Sequence, residues 1–415
     1  MSGFDTLLVA NRGEIARRIV RSARERGLRT VAVYSDADRA APHVREADAA
    51  VRLGPAPAAE SYLNLDAVLD AARASGAGAI HPGYGFLAEN GDAARAVEAA
   101  GLVWVGPTPA QLDAFGLKHT ARALAAEAGV PLLPGTGVLA DQGEAVEAAA
   151  AIGYPVMLKA TGGGGGIGMR VCADADALAE AWQAVTRQAQ ASFGSAGVFL
   201  EKFVRPARHV EVQLFGDGDG RVAVLGDRDC SLQRRNQKVV EEAPAPNLPD
   251  RVRSELHATA AALAASVDYR SAGTAEFVYD PVEERAYFLE VNARLQVEHP
   301  VTEAVFGVDL VGLMLDLARG GPEALPRSLF DEPPVPTGHA VEARIYAEDP
   351  DRGNAPSTGL VTAVQLPGGE GVRVDSWVEP GSEVTSFYDP LLAKVIAHAP
   401  ARDGALDLLR TALAE

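Results

Sequence analysis

The sequence predicts an α/β and α+β fold built in three successive sections: an open parallel sheet, a mixed central section with a small lid-like unit, and a mainly β section at the end. Three observations carry the prediction. Apolar runs of strand length alternate with helically spaced apolar residues over roughly the first 110 residues, the pattern of βαβ units. From His209 onward, short alternating strands are joined by Gly/Asp turns, the pattern of antiparallel hairpins. The composition is 47% hydrophobic and only 6% aromatic, with 42 glycines and 26 prolines in 415 residues, which fits a large α/β chain rich in tight turns and excludes disordered and fibrous classes.

Thr6-Leu7-Leu8-Val9-Ala10 reads as the first strand, Asn11-Arg12-Gly13 as a turn, Ile15, Ala16, Ile19 and Val20 as one helix face, and Thr30 to Tyr34 as the next strand. The alternation continues through a short strand at Ala49 to Val51, a helix from Leu65 to Ala74, a strand at Ala79-Ile80, a helix from Ala93 to Ala100 and a strand at Val103 to Val105. A Rossmann-like sheet over residues 1–115 follows. An Ala-rich helix from Leu117 to Ala128 ends at Gly129-Val130-Pro131, and the Pro/Gly-rich connection to Gly137 marks a boundary. Residues 144–205 run helix, strand (Val156 to Lys159), glycine run, strand, long helix and strand, which places a lid at about 131–205 inside a section spanning 116–330. Val210 to Leu214 and Arg221 to Leu225 pair as strands. A Pro-rich break at Pro333 to Pro336 precedes the last section, 334–415, which opens on a strand from Ala340 to Tyr346.

The net charge of −18 and a pI near 4.9 disfavour binding to nucleic acid or anionic lipid, so a phosphate ligand needs a locally basic pocket. Cys172 and Cys230 are the only cysteines and form no Cys-x-x-Cys pair, which supports neither a disulfide framework nor a zinc site and fits a reducing cytoplasm. The apolar run Leu7 to Ala10 meets Arg12 and Glu14 before reaching signal-peptide length, and no uncharged run approaches ~18 residues. The expectation is a soluble, unexported protein without a membrane partner.

Three constellations carry chemistry. Gly162 to Gly166, Ile167 and Gly168 follow a strand containing Lys159; bare backbone N–H groups free to take positive φ wrap phosphate oxygens, while the bland reading is a flexible turn. No Gly-Lys-[Ser/Thr] closes the run, so it is not a Walker loop. Glu290 and Asn292 point to one face of a strand, and Glu276 on a neighbouring strand can share that face; such oxygen ligands suit Mg²⁺, against the alternative of ordinary exposed carboxylates. Third, Asp229 to Glu242 contains the basic cluster Arg234, Arg235 and Lys238, which reads equally as an oxyanion site and as a solvated loop.

The glycine run, Cys230-Ser231-Leu232-Gln233-Arg234-Arg235-Asn236-Gln237-Lys238, Glu290-Val291-Asn292-Ala293-Arg294-Leu295-Gln296-Val297-Glu298-His299 and the early His81-Pro82-Gly83-Tyr84-Gly85-Phe86-Leu87-Ala88-Glu89-Asn90 together resemble the biotin carboxylase component of biotin-dependent carboxylases, an ATP-grasp family. The likeness covers essentially the whole chain in order. Within the family the chain is most similar to the biotin carboxylase domain of urea carboxylase, on Phe115 to Arg122, Ile167 where acyl-CoA enzymes usually carry arginine, Asn236 where many carry histidine, and Tyr388 to Lys394. The resemblance implies an N-terminal biotin carboxylase domain, a central ATP-grasp domain with its lid, and a C-terminal biotin carboxylase domain that is incomplete at Glu415.

It further implies that Lys118, Lys159, His209, Gln233 and Asn236 contact ATP, with Gly165 and Gly166 over its phosphates and Glu201, Lys202, Phe203 and Val204 along the adenine edge. Glu276, Glu290 and Asn292 would bind Mg²⁺ or Mn²⁺. Lys238, Arg294, Gln296 and Val297 would line the bicarbonate site, Glu298 would be the general base, and Arg344 would face the biotin ureido oxygen. Without the resemblance, Arg344 reads as a strand arginine paired with Glu342 or Glu348. The implied partners are a biotin carboxyl carrier domain and a carboxyltransferase domain or subunit, with a homodimer also allowed. A urea or guanidine pathway is expected first and acyl-CoA carboxylation second. The reading from another class is an inactive, truncated nucleotide-binding module.

Overall fold

The computed structural model describes residues 3–161, 168–193, 197–332 and 334–415. The chain opens with β1 (Thr6–Val9), α1 (Gly13–Glu25), β2 (Arg29–Ser35), α2 (Pro42–Glu46), β3 (Ala49–Gly54), α3 (Leu65–Ser75), β4 (Ala79–His81), α4 (Gly91–Ala99) and β5 (Val103–Trp104). These strands form a parallel sheet in the order β3-β2-β1-β4-β5. Leu7, Leu8 and Val9 are all fully buried, because helices cover both faces of a parallel sheet and the strand therefore has no polar side. Asn64 caps α3 by accepting from the Ala67 N–H, and Gly76 ends that helix in the left-handed region.

The helix expected from Leu117 is the second of two. A separate helix, α5 (Pro109–Gly116), precedes α6 (Lys118–Glu127), with Leu117 extended between them. Thr108 and Gln111 build a capping box at the start of α5, and Pro109 takes the first-turn position where its missing N–H costs nothing.

α7 (Gln142–Ile152), β6 (Val156–Ala160), β7 (Met169–Cys172), α8 (Ala175–Phe193) and β8 (Val198–Lys202) make a small unit with an antiparallel sheet ordered β7-β6-β8. Val156, Leu158, Leu178, Val185 and Leu200 form its own core. The glycines at 162–166, including Gly165 and Gly166, lie outside the described residues.

The remaining elements are β9 (Arg208–Asp217), β10 (Val222–Arg234), β11 (Gln237–Ala243), α9 (Asp250–Ala265), β12 (Arg270–Asp280), β13 (Arg285–Asn292), α10 (His299–Phe306), α11 (Leu310–Gly320), α12 (Ser328–Asp331), β14 (His339–Tyr346), β15 (Glu348–Asp349), β16 (Ala355–Pro356), β17 (Gly359–Leu360), β18 (Val372–Ser376), β19 (Glu383–Val384), β20 (Leu391–Ala399) and α13 (Arg402–Ala414). One antiparallel sheet runs β13-β12-β9-β10-β11-β14-β20-β18, so the strands after the Pro-rich break extend the sheet of the central section. β10 and β11 are joined by the two-residue loop Arg235-Asn236, with φ of 51° and 66°, a turn whose twist matches that of the strands it joins. Register places Glu241 opposite Glu342 and Arg344 opposite Lys394. No described helix is long and apolar enough to cross a membrane.

Candidate active site

The small unit faces the large sheet across a cavity of about 480 Å³. Lys159, Glu201, Lys202, Phe203, Val204, His209, Gln233, Asn236, Lys238, Glu276, Glu290, Asn292, Arg294, Gln296, Val297, Glu298 and Arg344 all line it. Lys118 opens α6, but its side chain lies outside the described residues.

Lys238 is the hub. Its Nζ donates to Glu211 at 2.6 Å, Glu276 at 2.8 Å and Glu298 at 2.6 Å. Burial opposes that charge, yet Glu211, Glu276 and Glu298 together lift its pKa well above the ordinary lysine value. Glu298 also accepts from Arg344 Nη2 at 3.0 Å. Burial works against its carboxylate, but Lys238, Arg344 and Arg228 outweigh it and hold the group ionised well below the usual carboxylate range. Glu276 is likewise held down against burial by Lys238 and His209. One of its oxygens accepts from Asn292 Nδ2 at 2.9 Å and Gln296 Nε2 at 3.0 Å; the other lies 3.0 Å from His209 Nε2. Arg294 reaches Asn292 Oδ1 and Gln296 Oε1, both at 3.1 Å, and Glu89 at 3.0 Å.

The residues on the small-unit side of the cavity are held with equal care. Lys159 and Arg122 both pair with the buried Glu201. Lys202 donates to the Gly153 and Tyr154 carbonyls at 2.7 and 3.2 Å, which ties β8 back to the turn before β6. His209 Nδ1 is 3.0 Å from Gln233 Nε2. Burial lowers the His209 pKa, but Glu276 and Glu211 reverse this and raise it above the ordinary value.

Several expectations change. Arg344 pairs with Glu241 at 2.6 Å and with Glu298, not with Glu342 or Glu348; Glu348 takes Arg234 instead. The basic cluster therefore divides, with Lys238 directed into the cavity and Arg234 held at its outside. Pro300 sits in the first turn of α10, and Glu298 is the residue just before that helix.

Sequence reading missed Glu211, Arg228, Glu241 and Glu89. Arg228 is wholly buried and donates from Nε to Glu211 at 2.5 Å. Glu211 had a signal: in His209-Val210-Glu211-Val212-Gln213 the polar residues share one face of the strand, so the polar face of β9 had to meet other polar groups. Arg122, singled out only as a lineage marker, does not line the cavity itself but pairs with Glu201, which does.

A second chamber of about 540 Å³ opens on the same Arg294, Val297 and Arg344 and is walled by Tyr84, Phe86, Trp377, Phe387 and Tyr388. Arg12 lines the same chamber, its guanidinium 5.0 Å from the Trp377 ring centroid and 4.4 Å from that of Tyr388, with Asp38 bound to Nε and Nη2 at 2.7 and 2.8 Å. The two chambers thus share a wall that carries Arg294 and Arg344, and on the first chamber's side Lys238 and the ionised Glu298 adjoin it. Glu276, Glu290 and Asn292 offer carboxylate and amide oxygens to the first chamber, a donor set that fits a hard divalent cation.

The family model described as "Biotin carboxylase, N-terminal domain" matches residues 3–112, "Carbamoyl-phosphate synthase L chain, ATP binding domain" matches 118–325, and "Biotin carboxylase C-terminal domain" matches 342–415. The chain is 49% identical to the urea amidolyase of Saccharomyces cerevisiae over 99% of its own length, but it spans only 22% of that protein. It is also 49% identical to the biotin carboxylase of Pseudomonas aeruginosa, covering 99% of this chain and 91% of that one. Among solved structures, the biotin carboxylase domain dimer of Hydrogenobacter thermophilus 2-oxoglutarate carboxylase, in complex with MgADP, ADP and bicarbonate, superposes with a TM-score of 0.94 at 42% identity, covering 100% of this chain and 90% of that one.

Proposed function

Because this chain belongs to the biotin carboxylase family, we propose that it activates bicarbonate with ATP as carboxyphosphate and carboxylates carrier-linked biotin at N1′. The observation that carries the reading is the junction of the two chambers: Arg294 and Arg344 line both a nucleotide-sized chamber and an aromatic-walled one, and Lys238 and Glu298 stand beside them on the first.

Lys159, His209 and Gln233 contact the nucleotide, with residues 201–204 along the base; Lys118, Gly165, Gly166 and Asn236 join them by family position. Glu276, Glu290 and Asn292 hold Mg²⁺ or Mn²⁺, which when bound neutralises charge on the transferred phosphoryl group. Lys238, Arg294, Gln296 and Val297 hold bicarbonate. Glu298 takes the bicarbonate proton: the incoming anion competes for Lys238 and loosens the ion pair that holds the carboxylate down, so its basicity rises as substrate binds. Carboxyphosphate releases CO₂ and phosphate, the phosphate removes the N1′ proton, Arg344 stabilises the enolate on the ureido oxygen, and N1′ then adds to the carbon of CO₂.

A steady-state assay of ADP release with free biotin tests this. Bicarbonate-stimulated ATP cleavage is expected, lost in Lys238→Ala with or without biotin and affected in Arg344→Ala mainly in carboxyl transfer. An absence of bicarbonate stimulation sinks the reading, and identical profiles for the two variants refute the division of roles.

The full pathway is a finer proposal. Phe115 to Arg122, Ile167, Asn236 and Tyr388 to Lys394 favour a urea or guanidine carboxylase over an acyl-CoA carboxylase, with a biotin carrier domain and a carboxyltransferase as partners. Overall identity does not separate the two, since a methylcrotonoyl-CoA carboxylase subunit of Glycine max is 48% identical to this chain and the yeast urea amidolyase 49%. Offering one biotinylated carrier from each pathway decides it; faster carboxylation of the acyl-CoA carrier overturns the urea assignment.

A further inference from the structure

Tyr388 to Lys394 was singled out in the sequence as a lineage signature, yet its last residue has a position of its own. Lys394, on β20, is wholly buried. Its Nζ donates to the Val297 carbonyl at 2.8 Å and lies 3.2 Å from Glu14 Oε1. Glu14 in turn accepts the hydroxyl of Tyr84. One ammonium group therefore ties a strand of the final section to the loop after β13 and, through Glu14, to the wall tyrosine in the loop after β4.

The bond to Val297 matters because a carbonyl and the following N–H belong to one rigid peptide plane. Fixing the Val297 carbonyl fixes the plane that leads into Glu298, just before α10. The chain has committed a buried cation to this: Lys394 stands directly opposite Arg344 on the neighbouring strand, two like charges side by side. Glu342, two residues from Arg344, has both carboxylate oxygens buried and without a hydrogen-bond partner among the described residues. Burial raises its pKa well above the usual range against the pull of Lys394. A lysine needed only to neutralise carboxylates would be expected to use this one for a hydrogen bond; it points to a backbone carbonyl and to Glu14 instead.

We propose that Lys394 is a positioning residue for bicarbonate activation and biotin binding, orienting Glu298 through the Val297 carbonyl and Tyr84 through Glu14. This rests on the reading of Glu298 as base given above. Lys394→Met keeps the length and removes the donor. The KM for bicarbonate should rise roughly 10–100-fold while that for ATP stays within about twofold. In the ligand-free protein, amide hydrogen exchange should quicken at residues 295–299 and 82–86 and stay unchanged in the core around Val156 and Leu158. The double variant Lys394→Met/Glu14→Gln removes one charge of each sign. Its thermal midpoint should recover towards wild type, with the bicarbonate KM still raised. Wild-type bicarbonate KM and exchange in Lys394→Met, uniform acceleration of exchange, or recovery of the bicarbonate KM together with stability would each overturn the proposal. Exchange needs no turnover, so a wild-type chain lacking bicarbonate-stimulated ATP cleavage would remove the functional reading while the local exchange pattern still decides the role of Lys394.

Discussion

Glu298 shows how a carboxylate with a strongly depressed pKa can still be assigned as a base. Its ionisation is guaranteed by Lys238 and Arg344, so no proton has to be removed before bicarbonate arrives. Glu298→Gln should lose roughly 10²–10⁴-fold in bicarbonate-dependent turnover with ATP affinity nearly intact. Parallel loss of ATP binding, measured by calorimetry, would make Glu298 a structural residue. Glu241, on the far side of Arg344, behaves oppositely: burial pushes its carboxyl up to about 7 despite the pull of Arg344, with Glu298 adding to the rise. The folded chain holds a proton there that the unfolded chain has lost, so this contribution to stability is complete below the ordinary carboxylate pKa and disappears as pH climbs through 7. Thermal midpoints between pH 5 and 8 should fall with this slope in the wild type and lose it in Glu241→Gln. Both carboxylates are visible in the sequence, but nothing there says which one faces two cations and which one only one.

At the scale of elements, the hairpin of β10 and β11 carries Lys238 into the cavity only if its two-residue turn holds register, since a slip of one residue would point Lys238 to the other face. Asn236 stands where the backbone needs positive φ, a conformation asparagine tolerates well. Asn236 thus serves the turn and also lines the first chamber. Asn236→Gly should leave stability unchanged, whereas Asn236→Val should cost roughly 1–2 kcal/mol in denaturant unfolding. Equal stability of the two variants would show that the turn is not under this constraint. The alternation of β9 and the Pro/Thr start of α5 were both readable, the first as a strand with a polar face and the second only in hindsight, because a capping box inside Pro-Thr-Pro looks like an ordinary loop.

Across the whole molecule, Arg12 locks the N-terminal sheet to the final section, with its guanidinium between Trp377 and Tyr388 and its fork on Asp38, which also accepts the Tyr62 hydroxyl. Burial opposes the Asp38 charge, but Arg12 holds its pKa below the usual value. Arg12→Ala leaves that buried carboxylate without its cation and should cost about 3–5 kcal/mol, read from chemical unfolding, with the aromatic-walled chamber loosened and biotin KM raised. A loss under about 1 kcal/mol would show that Asp38 finds another partner. The sequence by itself determined the order of sections, most of the strands and helices, the family, and many of the polar residues that line the first chamber, because apolar periodicity is a local property and the four motifs are contiguous runs. Only the tertiary structure decided which charges meet. Glu211 with Arg228 and Lys238, Glu241 with Arg344, and Glu14 with Lys394 are brought together by register across one sheet and by the closure of three sections, and a buried ion selects its partner by distance in space, which sequence spacing does not record.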